Sequence, residues 1–91
     1  MAVIRWTSRS SRDMNELAAK APKVAAAVVE FVYGDLARDP YRVGEPLRFE
    51  LEGLYSARRA EYRVIYRVAD GAEVVRVMRV GPRRDIYRPE R

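Results

Sequence analysis

Arginines gather near the end of the chain, where VGPRRDIYR (Val80 to Arg88) holds three of them and one tyrosine within nine residues. The same residue type recurs in EYRVIYRV (Glu61 to Val68), which carries Arg63 and Arg67. The guanidinium fork matches the oxygens of a phosphate group in a bidentate way. Arginines that converge on one concave face would repel one another unless an anion lies among them. The two segments therefore suggest a phosphate-binding site, and the alternative is that each arginine is a solvated surface residue.

The composition excludes several classes of site. The 91 residues include no Cys and no His, so disulfides, thiolate chemistry and the commonest metal ligand are absent. We therefore expect neither a metal centre nor a cofactor. The formal net charge is +5, and all basic residues except Lys20 and Lys23 are arginine. Clustered positive charge suggests a polyanionic partner, although an arginine-rich surface also serves solubility.

The length suits a single domain, which we place over residues 1–91. Met1 to Trp6 is too short and too charged for a signal peptide, and no apolar run approaches the ~20 residues of a membrane span. We expect a cytoplasmic protein that does not bind membranes.

The pattern of apolar residues predicts one strand, two helices and then further strands. Ala2 to Thr7 alternates as a strand does, and Arg12 to Lys20 has helical spacing, with an N-cap offered by Ser10, Ser11 and Asp13. Pro22 opens a second helix that is weakened at Gly34 and ends before Pro40. After a loop, the period changes to that of strands, which are predicted over Leu47 to Leu51, Leu54 to Arg59, Glu61 to Val68 and Glu73 to Val80.

This order predicts an α+β fold: a small antiparallel-rich sheet with an N-terminal strand and a two-helix hairpin packed on one face. The other face is left open. Because side chains alternate across a strand, Tyr62, Val64 and Tyr66 should face the helices, and Arg63, Ile65 and Arg67 the open face. A turn near Ala60 would bring Arg58 or Arg59 beside Arg63. Arg76 and Arg79 differ in parity and are predicted to point to opposite faces.

Two segments carry a resemblance to a known family: PLRFELEGLYSARRAEYRVIYRV (Pro46 to Val68) and VMRVGPRRDIYR (Val77 to Arg88). With the helical hairpin before them, the chain resembles the RelE-type toxins of type II toxin–antitoxin pairs, within the RelE/ParE superfamily, over nearly its whole length. The resemblance implies a ribosome-dependent endoribonuclease that cuts mRNA in the decoding site and inhibits translation. It implies metal-independent attack by a ribose 2′-hydroxyl, which leaves a cyclic phosphate and a 5′-hydroxyl.

Residue roles follow from the same resemblance. Arg63 matches the strand arginine that contacts the scissile phosphate, and Arg83, with Arg84 beside it, matches the arginine after the last strand. Tyr87 matches a tyrosine that stacks on a base or assists proton transfer. Basic positions that would hold RNA are matched by Arg48 and Arg58, and Arg59, next to Arg58, is a further candidate for binding RNA.

The general base is the least defined part of the site. RelE-type enzymes carry two lysines before the position of Arg63, and this chain has Leu54 and Ser56 there. Glu45 matches the carboxylate base of the related YoeB toxins, but a surface role in its loop is equally open.

Two further functions remain open. A ParE-like protein would inhibit DNA gyrase without hydrolysis, since one fold supports several functions. A plain RNA-binding module is the other, and it is weakened by the lack of an exposed aromatic pair for base stacking. The toxin reading implies a RelB-like cognate antitoxin, with the ribosome and mRNA as targets, and DNA bound only indirectly through the antitoxin.

Overall fold

The computed structural model describes residues 1–82, which form a five-stranded sheet with helices on one face. The strands stand in the order β1-β5-β4-β3-β2; β1 is parallel to β5, and the other neighbours are antiparallel. The strands are β1 (Val3–Trp6), β2 (Glu45–Pro46), β3 (Tyr55–Arg59), β4 (Tyr62–Ala69) and β5 (Val74–Pro82). The helices are α1 (Ser8–Lys20), α2 (Pro22–Phe31) and the short α3 (Pro40–Val43). The predicted α+β fold class is confirmed.

Helix α1 begins one turn earlier than the sequence pattern predicts. Its N-cap is Thr7, whose hydroxyl accepts a hydrogen bond from the Ser10 amide at 3.0 Å, while the Ser10 hydroxyl accepts one from the Thr7 amide at 3.0 Å. Ser10 is buried and also donates to the carbonyl oxygen of Val77 at 2.7 Å. The predicted cap at Ser10 or Ser11 is therefore wrong, because Ser10 occupies the third helical position of a capping box.

The weak point predicted at Gly34 coincides with a change of helix type. Helix α2 is followed by a π-helical turn, Val32–Leu36, that contains this glycine. The strand predicted over Leu47 to Leu51 is wrong. Phe49 has a φ of 60°, which interrupts an extended chain, so residues 49–51 form a 3₁₀ turn and the β2 pairing is limited to Glu45–Pro46.

The hydrophobic core lies between the helical layer and the sheet. The helices contribute Leu17, Val28, Val32 and Leu36, all at most 5% exposed. The sheet contributes buried side chains from three strands: Ala57, Val64, Tyr66, Val75, Val77 and Val80. Val64 and Tyr66 face the helices, as strand alternation predicts.

A β-bulge in β5 changes which of its side chains share a face. Ile65 pairs with Arg79, but the next residue, Tyr66, pairs with Val77, so Met78 is the extra residue in β5. Because of this insertion, Arg76 and Arg79 stand on the same side of the sheet. The parity prediction that separates these two arginines is therefore wrong.

Tyr66 is fully buried in the core and has one polar contact there. Its hydroxyl donates a hydrogen bond of 2.6 Å to the carbonyl oxygen of Pro40 in α3. Gly44, at the end of α3, packs so close to this hydroxyl that a Cβ on Gly44 would overlap it, and would also lie 3.0 Å from the carbonyl oxygen of Ser56. The contact joins the end of the helical layer to β3 and β4.

Replacing Gly44 by alanine is expected to lower the free energy of unfolding by about 1–3 kcal/mol, because the new methyl group overpacks a fixed contact. Urea unfolding measures this change. Gly34→Ala is the matched control, since a Cβ there meets nothing within 4 Å. That variant should be unchanged or up to about 1 kcal/mol more stable. Equal stabilities of Gly44→Ala and the wild type would contradict the expectation.

Replacing Tyr66 by phenylalanine should cost about 1–3 kcal/mol at neutral pH, because the buried Pro40 carbonyl oxygen loses its donor. Burial raises the pKa of the Tyr66 hydroxyl above its usual 10.0, and the nearby Tyr55 phenol adds to the shift. The folded state thus retains this proton to higher pH than the unfolded state does. The resulting stabilisation is complete below about pH 10 and is lost as the pH rises further.

Urea unfolding at about pH 8 and about pH 11 tests this linkage. The wild type should lose more stability between these two conditions than Tyr66→Phe loses. The same loss in both proteins would show that Tyr66 does not carry the alkaline transition.

Candidate functional site

The sheet face opposite the helices carries most of the strand arginines, and we call it the arginine face. The cross-strand register places twelve side chains on it: Val3, Arg5, Glu45, Ser56, Arg58, Arg63, Ile65, Arg67, Ala69, Val74, Arg76 and Arg79. Ile65 is 3% exposed and has arginines beside it both along β4 and across to β5. The predicted sharing of one face by Arg63, Ile65 and Arg67 is confirmed.

Arg58, and not Arg59, is the neighbour of Arg63. In the register of β3 and β4, Arg58 stands directly opposite Arg63, whereas Arg59 stands opposite Tyr62 and therefore points to the helical side. There Arg59 lines a small surface pocket beside α2 and the π-helical turn. Like charges directly opposite each other destabilise a sheet. The Arg58–Arg63 pair therefore concentrates positive charge at this point of the arginine face.

Three adjacent strands place Glu45, Ser56 and Arg63 on this face. Nη1 of Arg63 donates to the hydroxyl of Ser56 at 3.3 Å. Ser56 in turn pairs in register with Glu45 of β2. Directly opposite residues have Cβ atoms ~4.5–5.5 Å apart, so the Glu45 side chain starts next to the group that Arg63 contacts.

Arg79 has a structural partner. Its Nε lies 3.0 Å from Oδ2 of Asp13 in α1, and the same oxygen accepts a 2.9 Å hydrogen bond from the Val80 amide. Arg9 lies 3.6 Å from the other carboxylate oxygen. Asp13 thus pairs with the edge of β5 beyond the end of β1. The sequence pattern assigned Asp13 to the start of a helix and missed this contact, which spans more than 60 residues.

Arg48 lies apart from this group. It is exposed and precedes the 3₁₀ turn in the connection between β2 and β3. Phe49 beside it is 87% exposed. The structure therefore does not bring Arg48 into the row of Arg58 and Arg63.

Arg83, Arg84 and Tyr87 lie outside the described residues. Strand β5 extends two residues past its predicted end at Val80, and Gly81 pairs with Arg63 while Pro82 pairs with Tyr62. The part of the chain that the structure describes therefore ends beside Arg63. Among the helices of residues 1–82, none has the length and apolar character needed to cross a lipid bilayer.

Comparison with known proteins identifies relatives along most of the chain. The chain is 51% identical to Toxin RelG of Mycobacterium tuberculosis over 85 residues, which cover 93% of this chain and 94% of that toxin. It is 46% identical to Toxin RelE of the same organism over 82 residues, or 90% of this chain and 81% of that toxin.

A solved structure agrees with the sequence matches. The toxin–antitoxin complex RelBE2 from Mycobacterium tuberculosis contains a chain that superimposes with a TM-score of 0.82 at 48% identity, covering 90% of this chain and 98% of that one. The family described as "ParE toxin of type II toxin-antitoxin system, parDE" matches residues 4–87. The chain therefore belongs to the RelE/ParE family of toxins from type II toxin–antitoxin systems.

Proposed function

We propose that this toxin is a ribosome-dependent, metal-independent endoribonuclease that cuts mRNA in the decoding site of the cytoplasmic ribosome. The observation that carries the proposal is the placement of Glu45, Ser56 and Arg63 on three adjacent strands of one face, with Arg58 opposite Arg63. Cleavage through a 2′-hydroxyl needs a group that accepts a proton and cations that stabilise the developing phosphorane charge. The arginine face offers both kinds of group on neighbouring strands.

In the proposed reaction, the Glu45 carboxylate takes the proton of the ribose 2′-hydroxyl. The 2′-oxygen forms a bond to the adjacent phosphorus, and the bond from phosphorus to the 5′-oxygen breaks, which leaves a cyclic phosphate. Arg63 binds the equatorial phosphate oxygens, and Arg58 supports it. The departing 5′-oxygen requires a proton, for which Tyr87 is the proposed donor, and Arg83 is proposed as a second phosphate ligand, with Arg84 beside it; all three assignments rest on the resemblance.

We also propose a RelB-like antitoxin as the partner that neutralises this chain. The similar RelBE2 structure is a toxin–antitoxin complex. The net charge of +5 favours a partner segment that carries acidic residues.

The proposed function is tested by adding the purified toxin to a reconstituted translation system and mapping the mRNA ends, with naked mRNA as the control. Cuts within ribosome-occupied codons, and none in naked mRNA, are expected. A parallel supercoiling assay measures DNA gyrase activity, because the matching family is named for the ParE toxin and a ParE-like protein would inhibit this enzyme. Intact mRNA together with blocked supercoiling would show that the chain is a ParE-like gyrase inhibitor and not a nuclease.

A further inference from the structure

Three arginines form a continuous row across the end of the arginine face that is remote from the Arg58–Arg63 pair. Arg76 of β5 stands in register with Arg5 of β1 on one side and with Arg67 of β4 on the other. All three residues are exposed. We call them the distal arginine row; none of them is among the residues assigned to the cleavage site.

The positive charge of this row is not compensated by an ion pair within residues 1–82. The ion pairs found there join Arg9 and Arg79 to Asp13, and Arg38 to Asp35. The next residues of the same face towards the β4–β5 turn are Val3, Val74 and Ala69, which are apolar. Since like charges in register destabilise a sheet, the row is an unfavourable arrangement unless an anion binds to it.

The row is aligned with the proposed cleavage site. Arg63 and Arg67 lie on the same strand and the same face, four residues apart, which corresponds to about 13 Å at the rise of a β-strand. A single-stranded nucleic acid carries one phosphate per nucleotide, so a strand laid along β4 from Arg63 reaches the row within a few nucleotides. The side chain of Arg67 extends the row towards the connection before β3. A Cβ atom added to Gly53 in that connection would lie 3.2 Å from Nη1 of Arg67.

We propose that the distal arginine row binds the phosphate backbone of the same RNA strand, a few nucleotides away from the scissile phosphate held by Arg63. This inference rests on the proposed function, since it assumes that the strand bound at Arg63 is RNA. The row fixes the register of the substrate on the sheet, because phosphate contacts position a strand without reading its sequence. An acidic protein segment is the competing occupant, and continuity with the Arg58–Arg63 pair on one face favours the RNA.

The test compares two triple variants that both lower the net charge from +5 to +2. The row variant combines Arg5→Gln, Arg67→Gln and Arg76→Gln, and the matched control combines Arg12→Gln, Lys20→Gln and Lys23→Gln on α1 and α2. The ligands are 2′-O-methyl RNA strands of about 2 and about 10 nucleotides, of which only the longer one spans both sites. Such strands cannot be cleaved by 2′-hydroxyl attack, so binding is measured apart from catalysis.

For the longer strand, the slope of log K against log[salt] should fall in magnitude by about 2 in the row variant, since each single-strand phosphate contact contributes ~0.7. The row variant should also lose the affinity gain of the longer strand over the shorter one, whereas the control variant should keep both properties. Circular dichroism should show a folded row variant with a Tm at low salt equal to or above that of the wild type, because repulsion is relieved.

Identical slopes and length dependence in the row and control variants would overturn the proposal while leaving mRNA cleavage intact. Poly-L-glutamate serves as the acidic-polypeptide probe. Weaker poly-L-glutamate binding by the row variant, with RNA binding equal to that of the control, would also overturn it and assign the row to a protein partner. If the row binds RNA but mRNA ends stay uncut on ribosomes, the cleavage proposal fails and the row assignment stands.

Discussion

Replacing Arg63 by alanine is expected to lower the rate of mRNA cleavage on the ribosome by about 10²- to 10³-fold, the usual effect of removing one preorganised donor to a developing charge. Arg63 stands at the centre of the site, with Arg58 opposite it on one side and Gly81 on the other. Single-turnover cleavage, followed by mapping of mRNA ends, measures the effect. Arg63→Lys keeps the charge but loses the fork, so an intermediate rate is expected.

Arg59→Ala is the matched control for Arg63. Arg59 belongs to the same β3–β4 hairpin and is exposed, but it points to the helical side of the sheet. Its variant should cleave within a few-fold of the wild-type rate. Normal cleavage by Arg63→Ala, or an equal loss in both variants, would show that the arginine face is not where the scissile phosphate binds.

Replacing Glu45 by glutamine is expected to lower the cleavage rate by about 10²- to 10⁴-fold, the range attributed to a positioned general base. Glutamine has nearly the same shape but cannot accept the proton of the 2′-hydroxyl. Glu50→Gln is the control, because Glu50 is exposed in the nearby 3₁₀ turn and is not part of the Glu45–Ser56 pairing.

Chemical rescue separates a base from a residue that only maintains local structure. In Glu45→Ala, added formate should restore part of the cleavage rate, since a small carboxylate can occupy the space and take the proton. Full activity of Glu45→Gln would remove Glu45 from the mechanism. An inactive Glu45→Ala that formate does not restore would assign it a positioning role.

Alternation along β4 was readable from the sequence because it is a local property of an extended chain. It correctly separated Arg63 and Arg67 from Val64 and Tyr66. The bulge at Met78 was not readable, since an extra residue in β5 is defined only by its pairing with β4. Arg76 and Arg79 therefore came to share a face against expectation.

The choice between Arg58 and Arg59 depended on the turn between β3 and β4. Ala60 has a φ of 57°, a left-handed conformation that is uncommon for alanine, and it sets the register in which Arg58 meets Arg63. Neither glycine nor asparagine marks this turn in the sequence. Composition and periodicity therefore do not decide which of the two arginines lies beside Arg63.

Ser56 departs from the family pattern, and the structure shows which residues this departure places next to one another. As a sequence difference, serine in place of lysine only removes a charge. In the fold, the small hydroxyl accepts a hydrogen bond from Arg63, and Ser56 stands opposite Glu45, so it lies beside both the cation and the candidate base. Its role became visible only when the pairing of β2 with β3 was known.

The parallel pairing of β1 with β5 has a consequence for the order of folding. During synthesis, residues 3–6 cannot pair with residues 74–77 until these have emerged from the ribosome. The β3–β4 and β4–β5 hairpins, by contrast, close through short loops. Ordering the long intervening chain makes such a distant contact slow to form. We therefore expect the docking of β1, which adds Arg5 to the arginine face, to be the late and rate-limiting step by which a newly made chain becomes a complete toxin.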